Sequence, residues 1–232
     1  YAKMYRVERR TDLEVQTRPF AAGEVVPIED WPRWIEKEPP TLRPWSKYVF
    51  NQGSVGSCTA EAGCGCIEVM QGFTSQVQVE YNPWFLYGWV NGGVDRGSSL
   101  EDVIASLKSY GACPPSVWPR SHGWRTTPSR ETYEAALGHR LLAVTPVRSK
   151  VEMGSALLHR KPVHYWYDAH SVFAHTLISH TMFAWRNSWG TSWGDGGHSV
   201  MSFSSVTYRG FYVYHSVVDR EGSDMPVREV TT

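Results

Sequence analysis

The pattern of apolar residues changes at about residue 138, and this change limits the folds open to the chain. Before it, apolar side chains recur at helical spacing; within residues 100–107 they lie at positions i, i+3, i+4 and i+7, and Gly111 follows as a helix stop. After it, short apolar or alternating runs are separated by turn residues, which is typical of strands. We therefore expect an α+β fold with a helical first half, a β-rich second half and a cleft between them.

The same patterns predict the individual elements. Helices are predicted over residues 58–72, 83–90, 100–110, 129–138 and 151–159. Strands are predicted over residues 141–147, 162–167, 174–179, 182–187, 197–203 and 211–217. One domain results, built from an extended arm, a helical lobe, a β-rich lobe and a tail, over residues 1–50, 51–133, 134–217 and 218–232. The arm is rich in proline and charge, and its expected anchors are Trp31, Trp34 and Trp45.

Charge and composition exclude several classes of partner. The 23 basic and 23 acidic residues give no net charge, so we expect no nucleic-acid surface. No apolar run reaches the roughly 18 residues of a membrane span. Cys58, Cys64, Cys66 and Cys113 are too closely grouped for a disulfide framework, which favours a reducing compartment, such as the cytoplasm or a virus particle, without fixing the location. The chain lacks the further ligand pairs of a zinc site, so neither a metal nor a cofactor is expected.

A cysteine follows a glycine-containing loop, which reads Gln52-Gly53-Ser54-Val55-Gly56-Ser57-Cys58. The predicted helix starts at Cys58, and a helix N-terminus lowers the pKa of a thiol and so favours the reactive thiolate. Gln52 has a side-chain amide that, with the backbone N–H of Cys58, is suited to stabilise an oxyanion. Taken alone, the cysteine is more often an ordinary buried residue, and the role of Gln52 depends on it.

A second segment far downstream reads Asn187-Ser188-Trp189-Gly190-Thr191-Ser192-Trp193-Gly194. The two segments together resemble the signature segments of papain-like cysteine peptidases, in particular the compact bacterial or viral branch. The resemblance implies a two-lobed fold with a helical left lobe and an antiparallel β-barrel-like right lobe, with the active site in the cleft. It also implies these roles: nucleophile for Cys58, oxyanion donor for Gln52, orienting amide for Asn187, shielding indole for Trp189, and binding of the substrate backbone for Gly97 and Ser98.

One segment leaves an alternative open, because the run Gly97-Ser98-Ser99 is equally well explained as a turn before a helix. Two positions depart from the family's pattern. Thr59 stands where most members carry tryptophan, and Val55 stands where many secreted members have a disulfide cysteine.

The catalytic histidine is less obvious, because His170, His175 and His180 all precede Asn187. In this family the histidine and asparagine face the same side of adjacent antiparallel strands, at an even separation. His175 keeps that parity with Asn187, whereas His170 and His180 would need a bulge or a different loop. His175 also opens an apolar run. We therefore predict His175 as the catalytic base.

The resemblance predicts a cysteine endopeptidase acting on a peptide or protein substrate. One alternative is a peptidoglycan peptide hydrolase with the same thiol chemistry, associated with a cell wall. Another is a structural or assembly protein, for example of a virus particle, that keeps the fold. A short arm that crosses the cleft as a plug is a further hypothesis, tested by truncation before Thr41.

Overall fold

The computed structural model describes residues 18–217, and these contain six α-helices and six β-strands. The helices are α1 (Trp31–Lys37), α2 (Cys58–Ser75), α3 (Pro83–Val90), α4 (Leu100–Ser109), α5 (Arg130–Leu137) and α6 (Lys150–Leu158). The strands are β1 (Leu141–Pro146), β2 (Val163–Tyr167), β3 (His170–Leu177), β4 (Met182–Arg186), β5 (His198–Ser202) and β6 (Phe211–Val217). The predicted change from helices to strands is confirmed. The structure adds α1 within the arm and starts the third strand four residues earlier than predicted.

The long helix α2 lies at the centre of the molecule and packs against α3, α4 and the sheet. Its glycines weaken a helix in isolation, but here they allow close packing. A Cβ atom on Gly63 would lie 2.8 Å from Val103, and one on Gly65 would collide with Phe173 and Arg186. Nearly the whole helix is therefore buried, and its first residue, Cys58, is held in a fixed position between the two halves of the molecule.

The six strands form one antiparallel sheet in the order β1-β6-β2-β3-β4-β5. Successive side chains of β3 point to opposite faces, as strand geometry requires. Phe173 packs in the core shared with α2, whereas Val172 and Ala174 pack in the core that contains α6. The sheet thus separates two hydrophobic cores.

A β-bulge interrupts β3 at His175. Ala174 pairs with Trp185 and Thr176 pairs with Ala184, so β3 has one residue more than β4 between these two pairs. Between the bulge and the turn, directly paired residues are separated by an even number of positions. Beyond the bulge, toward His170, the separation of paired residues is odd.

The arm completes the sheet next to this bulge. Thr41 forms a bridge with Thr176, Leu42 N–H donates to the His175 carbonyl at 2.9 Å, and Leu177 N–H donates to the Pro40 carbonyl at 3.3 Å. Residues 40–42 of the arm are therefore an integral part of the β-rich lobe.

The three tryptophans of the arm are buried to different degrees. Trp31 is fully buried, packs against Gly154 and Phe203, and donates its indole N–H to the Val26 carbonyl at 3.0 Å. Trp45 packs against α2, whereas Trp34 is 42% exposed. Trp31 is thus part of one core, and the partly buried Trp45 packs against the other. Residues 1–17 of the predicted arm and the predicted tail, 218–232, lie outside the described residues.

Candidate active site

Cys58 is the first residue of α2, and only 9% of its surface is exposed. Burial raises the pKa of the thiol, while the backbone N–H groups of Ser171, Thr59 and Cys58 itself act in the opposite direction. The contact with the Ser171 amide is informative, because it places the start of β3 beside the thiol. The residue just before Ser171 is His170.

The His170 imidazole lies beside Asn187. His170 Nε2 and Asn187 Oδ1 are 2.7 Å apart, and the Trp189 indole stacks on the imidazole with 5.0 Å between ring centroids and 24° between planes. A carbonyl oxygen only accepts, so Nε2 carries the proton and the lone pair of the neutral ring lies on Nδ1. Burial lowers the pKa of His170, and the hydrogen bond to Asn187 partly offsets this effect. This imidazole is a neutral base with a defined tautomer.

The predicted pairing of His175 with Asn187 is wrong. His175 is 1% exposed, and its ring nitrogens lie 2.8 Å from Thr176 Oγ1 and 2.9 Å from His198 Nδ1. Burial holds the pKa of His175 well below its usual range, and the charges of His198, Arg43 and Arg186 lower it further. The physical reason for the error is the bulge at His175, which reverses the parity on which the prediction rested. His180 is exposed in the turn between β3 and β4.

Gln52 is held against the second signature segment. Its side-chain oxygen accepts from Ser188 Oγ at 2.5 Å, its backbone N–H donates to the Ser188 carbonyl at 2.9 Å, and its Nε2 donates to the Val55 carbonyl at 2.9 Å. An amide NH2 group has two N–H donors. Among the described residues, Gln52 therefore has one side-chain donor left beyond its bond to Val55, on the loop that leads to Cys58.

The Gly97 segment lies against the loop that precedes Cys58. A Cβ atom on Gly56 would lie 3.1 Å from the Gly97 nitrogen, and the Thr59 and Ser98 hydroxyls are hydrogen-bonded. Asp95 connects the two segments, since its Oδ1 accepts from Gly56 N–H at 2.8 Å and from the Tyr87 hydroxyl. The same hydroxyl accepts from Gly97 N–H at 3.1 Å. Gly97 and Ser98 thus lie against the residues on either side of Cys58, and Thr59 contacts Ser98.

Sequence reasoning missed four charged residues beneath the site. Arg186 Nη1 and Glu68 Oε2 form a buried ion pair at 2.7 Å, and the Arg186 guanidinium lies over the Phe173 ring at 4.7 Å. Glu61 is buried one turn after Cys58, and its Oε1 accepts from Ser57 Oγ at 3.1 Å and from Arg120 at 3.4 Å. The available signal was the presence of Glu61, Glu68 and Arg186 within otherwise apolar runs.

Within residues 18–217, no group of three or more histidine, cysteine, aspartate or glutamate side chains is arranged to hold a metal ion. None of the helices in that range has the length and apolar character needed to span a membrane.

Solved structures similar to this chain are cysteine proteases. Xylellain, a cysteine protease from Xylella fastidiosa, is 21% identical with a TM-score of 0.68, and the match covers 87% of this chain and 95% of xylellain. Digestive procathepsin L 3 of Tenebrio molitor is 14% identical with a TM-score of 0.66, covering 86% of this chain and 73% of that one. Bromelain from Ananas comosus is 16% identical with a TM-score of 0.60, covering 75% and 96% respectively. No protein-family model and no curated protein sequence matches this chain. The likeness establishes a shared fold.

Proposed function

We propose that this chain, which has the fold of papain-like cysteine proteases, is a cysteine peptidase with Cys58 as nucleophile and His170 as base. The observation that carries the proposal is the hydrogen bond between His170 and Asn187. The His170 ring stacks on Trp189, and the next residue, Ser171, contacts the Cys58 thiol through its backbone N–H. A nucleophile, a base and a group that orients the base are the parts that thiol catalysis requires.

The first half of the reaction forms an acyl-enzyme. Nδ1 of His170 takes the thiol proton of Cys58, and the sulfur attacks the carbonyl carbon of the scissile amide. The free N–H of Gln52 and the backbone N–H of Cys58 stabilise the oxyanion. The tetrahedral intermediate then loses the amine, which takes its proton from the His170 imidazolium. Asn187 holds the imidazole in one tautomer during both proton transfers.

The second half releases the product acid. A water molecule gives a proton to His170 and attacks the thioester carbonyl, and expulsion of the Cys58 thiolate completes the hydrolysis. The thiolate then recovers a proton from the imidazolium. The Gly97 and Ser98 segment supports the proposal, because it lies against the residues that flank Cys58, where a segment that pairs with an extended peptide would be expected.

The substrate of this reaction is a peptide or protein. Peptidoglycan crosslinks are the alternative substrate, and a structural role in a virus particle is the alternative from another class, but no contact in the described structure favours either. All four cysteines are free thiols, which supports a reducing location as part of the proposal.

The test is labelling with E-64, the compound bound in the solved structure of bromelain. We expect stoichiometric labelling at neutral pH that is lost in Cys58→Ala and strongly reduced in His170→Ala, with cleavage of casein but not of purified cell walls. A Cys113→Ala variant is the matched control, because Cys113 is a buried cysteine in another core. Absence of labelling in a folded wild-type chain contradicts the peptidase; activity on cell walls alone favours the peptidoglycan alternative.

A further inference from the structure

A small cavity lies behind the active site, between α2 and the end of β4. Among its lining residues are Glu61, Arg186 and Asn187, which are 2%, 3% and 2% exposed. It leaves about 10 Å³ for the centre of a water molecule to occupy, which is room for about one water.

Each of these three residues has a buried polar atom without a partner among the described residues. The atoms are Glu61 Oε2, Arg186 Nη2 and Asn187 Nδ2. Every other polar atom of the Glu61 and Asn187 side chains is engaged, since Glu61 Oε1 binds Ser57 and Arg120, and Asn187 Oδ1 binds His170 and Ser188 N–H. Buried polar groups in proteins are nearly always hydrogen-bonded, if necessary through an ordered water.

The chemistry of the three atoms fits one water molecule. Arg186 Nη2 and Asn187 Nδ2 are donors, and a carboxylate oxygen of Glu61 is an acceptor. A water that accepts from both donors still has a proton to donate to Glu61 Oε2. An Asn187 amide rotated by 180° would present a second acceptor to this water and a donor to His170 Nε2, which would place the imidazole proton on Nδ1, the wrong nitrogen for taking the thiol proton.

We propose that Glu61, Arg186 and Asn187 bind one ordered water, and that Glu61 acts through this water to keep the Asn187 carbonyl directed at His170. Glu61 is thus a positioning residue for the reaction, and this role rests on the proposed function. Burial raises the pKa of Glu61 to about 7, although Arg120, Ser57 and Arg186 favour the ionised form, so Glu61 is the carboxylate acceptor above pH 7 and the kinetic comparison below is made there.

The direct test is a crystal structure of the full chain at a resolution high enough to show buried waters in the electron density. We expect one water within hydrogen-bonding distance of Glu61 Oε2, Arg186 Nη2 and Asn187 Nδ2. A dry cavity, or a water that contacts neither Asn187 nor Glu61, overturns the proposal. This measurement does not depend on activity, so its result stands whether or not the chain cleaves peptides.

The functional test uses Glu61→Gln and, as a second variant, Glu61→Met. Methionine fills the space with an apolar side chain, and it leaves no fully buried cation without an ion pair, because Arg120 is partly exposed and Arg186 keeps its pair with Glu68. We expect both to lower kcat/KM about tenfold, the cost of one charged hydrogen bond, and to increase the Nδ1-protonated tautomer of His170 in ¹⁵N NMR spectra. Glu134→Gln, which changes an exposed carboxylate, is the control.

The outcomes separate the two proposals. Unchanged kcat/KM and an unchanged His170 tautomer in folded Glu61 variants overturn the positioning role and leave the peptidase intact. A wild-type chain with no peptidase activity overturns the proposed function, and the His170 tautomer then still decides whether Glu61 orients Asn187.

Discussion

His170 and Asn187 are hydrogen-bonded at 2.7 Å although they are separated by an odd number of positions, 17, along a pair of antiparallel strands. The bulge at His175 is the cause, because one extra residue on β3 reverses which residues share a face with β4. The same bulge turns His175 toward His198 and away from the cleft. Two histidines five residues apart therefore have different environments.

The first prediction separates the roles of these histidines. We expect His170→Ala to lower kcat/KM by about 10²–10⁴, the usual contribution of a general base, without changing the melting temperature much. His175→Ala removes a buried hydrogen-bonded side chain, so we expect a lower melting temperature and retained labelling by E-64 in the folded fraction. The measurements are peptide hydrolysis, labelling and thermal unfolding followed by circular dichroism. A folded His175→Ala protein as inactive as His170→Ala would instead support His175 as the catalytic base, as predicted from sequence.

The second prediction concerns the arm, and it uses two tryptophans of one helix. Trp31→Ala empties a fully buried site and should cost about 3–5 kcal/mol in the free energy of unfolding, whereas Trp34→Ala, at an exposed site, should cost about 0.5 kcal/mol or less. Truncation before Thr41 removes Trp31 and should therefore destabilise the chain. Urea unfolding measures the free energy of unfolding of the two variants and of the truncated chain. A truncated chain that is stable and more active would instead support the arm as a plug over the cleft.

A third prediction tests the connection between the Cys58 loop and the Gly97 segment. Asp95→Ala removes the acceptor of Gly56 N–H and of the Tyr87 hydroxyl, which itself holds Gly97 N–H, so Gly97 loses its fixed position beside the Cys58 loop. We expect KM for a peptide substrate to rise about tenfold, the effect of one charged hydrogen bond, with little change in stability because Asp95 is exposed. Asp102→Ala, also exposed and on the following helix, is the matched control. Equal KM values for the two variants would show that Asp95 does not position the segment.

The fourth prediction is a loss of stability in acid that involves His198. Burial lowers the pKa of His198 from 6.5 to about 3, and the charges of Arg43 and Arg186 add to this effect. The unfolded chain therefore binds a proton below about pH 6.5 that the folded chain does not bind until about pH 3. Stability present above pH 6.5 is lost as the pH falls, by up to about 1.4 kcal/mol per pH unit for this group.

Urea unfolding at about pH 7.5, 5.5 and 4.5 measures this loss. We expect a shallower pH dependence in His198→Asn than in the wild-type chain, and no change in His180→Gln, whose histidine is exposed in a turn. Identical slopes for wild type and His198→Asn would contradict the assignment.

Most of the secondary structure could be predicted because it depends on local patterns. The i, i+3, i+4, i+7 spacing in residues 100–107 is a property of one helix, and Ser99 caps that helix by accepting from Asp102 N–H at 3.0 Å. The helix α1 was missed because it begins with Trp31-Pro32 in a proline-rich arm, and the fully buried position of Trp31 depends on Gly154, far along the chain.

The sequence by itself determined the order of α2–α6 and the six strands, and the two segments that carry Cys58, Gln52 and Asn187, because each is a short-range pattern of residue types. Only the tertiary structure decided which histidine meets Asn187. That choice depends on the pairing of β3 with β4, and one extra residue, His175, shifts this pairing without changing the pattern of apolar residues. The tertiary structure also brought Glu61 and Arg186 together behind Asn187, since contacts between distant segments follow from packing rather than from spacing along the chain.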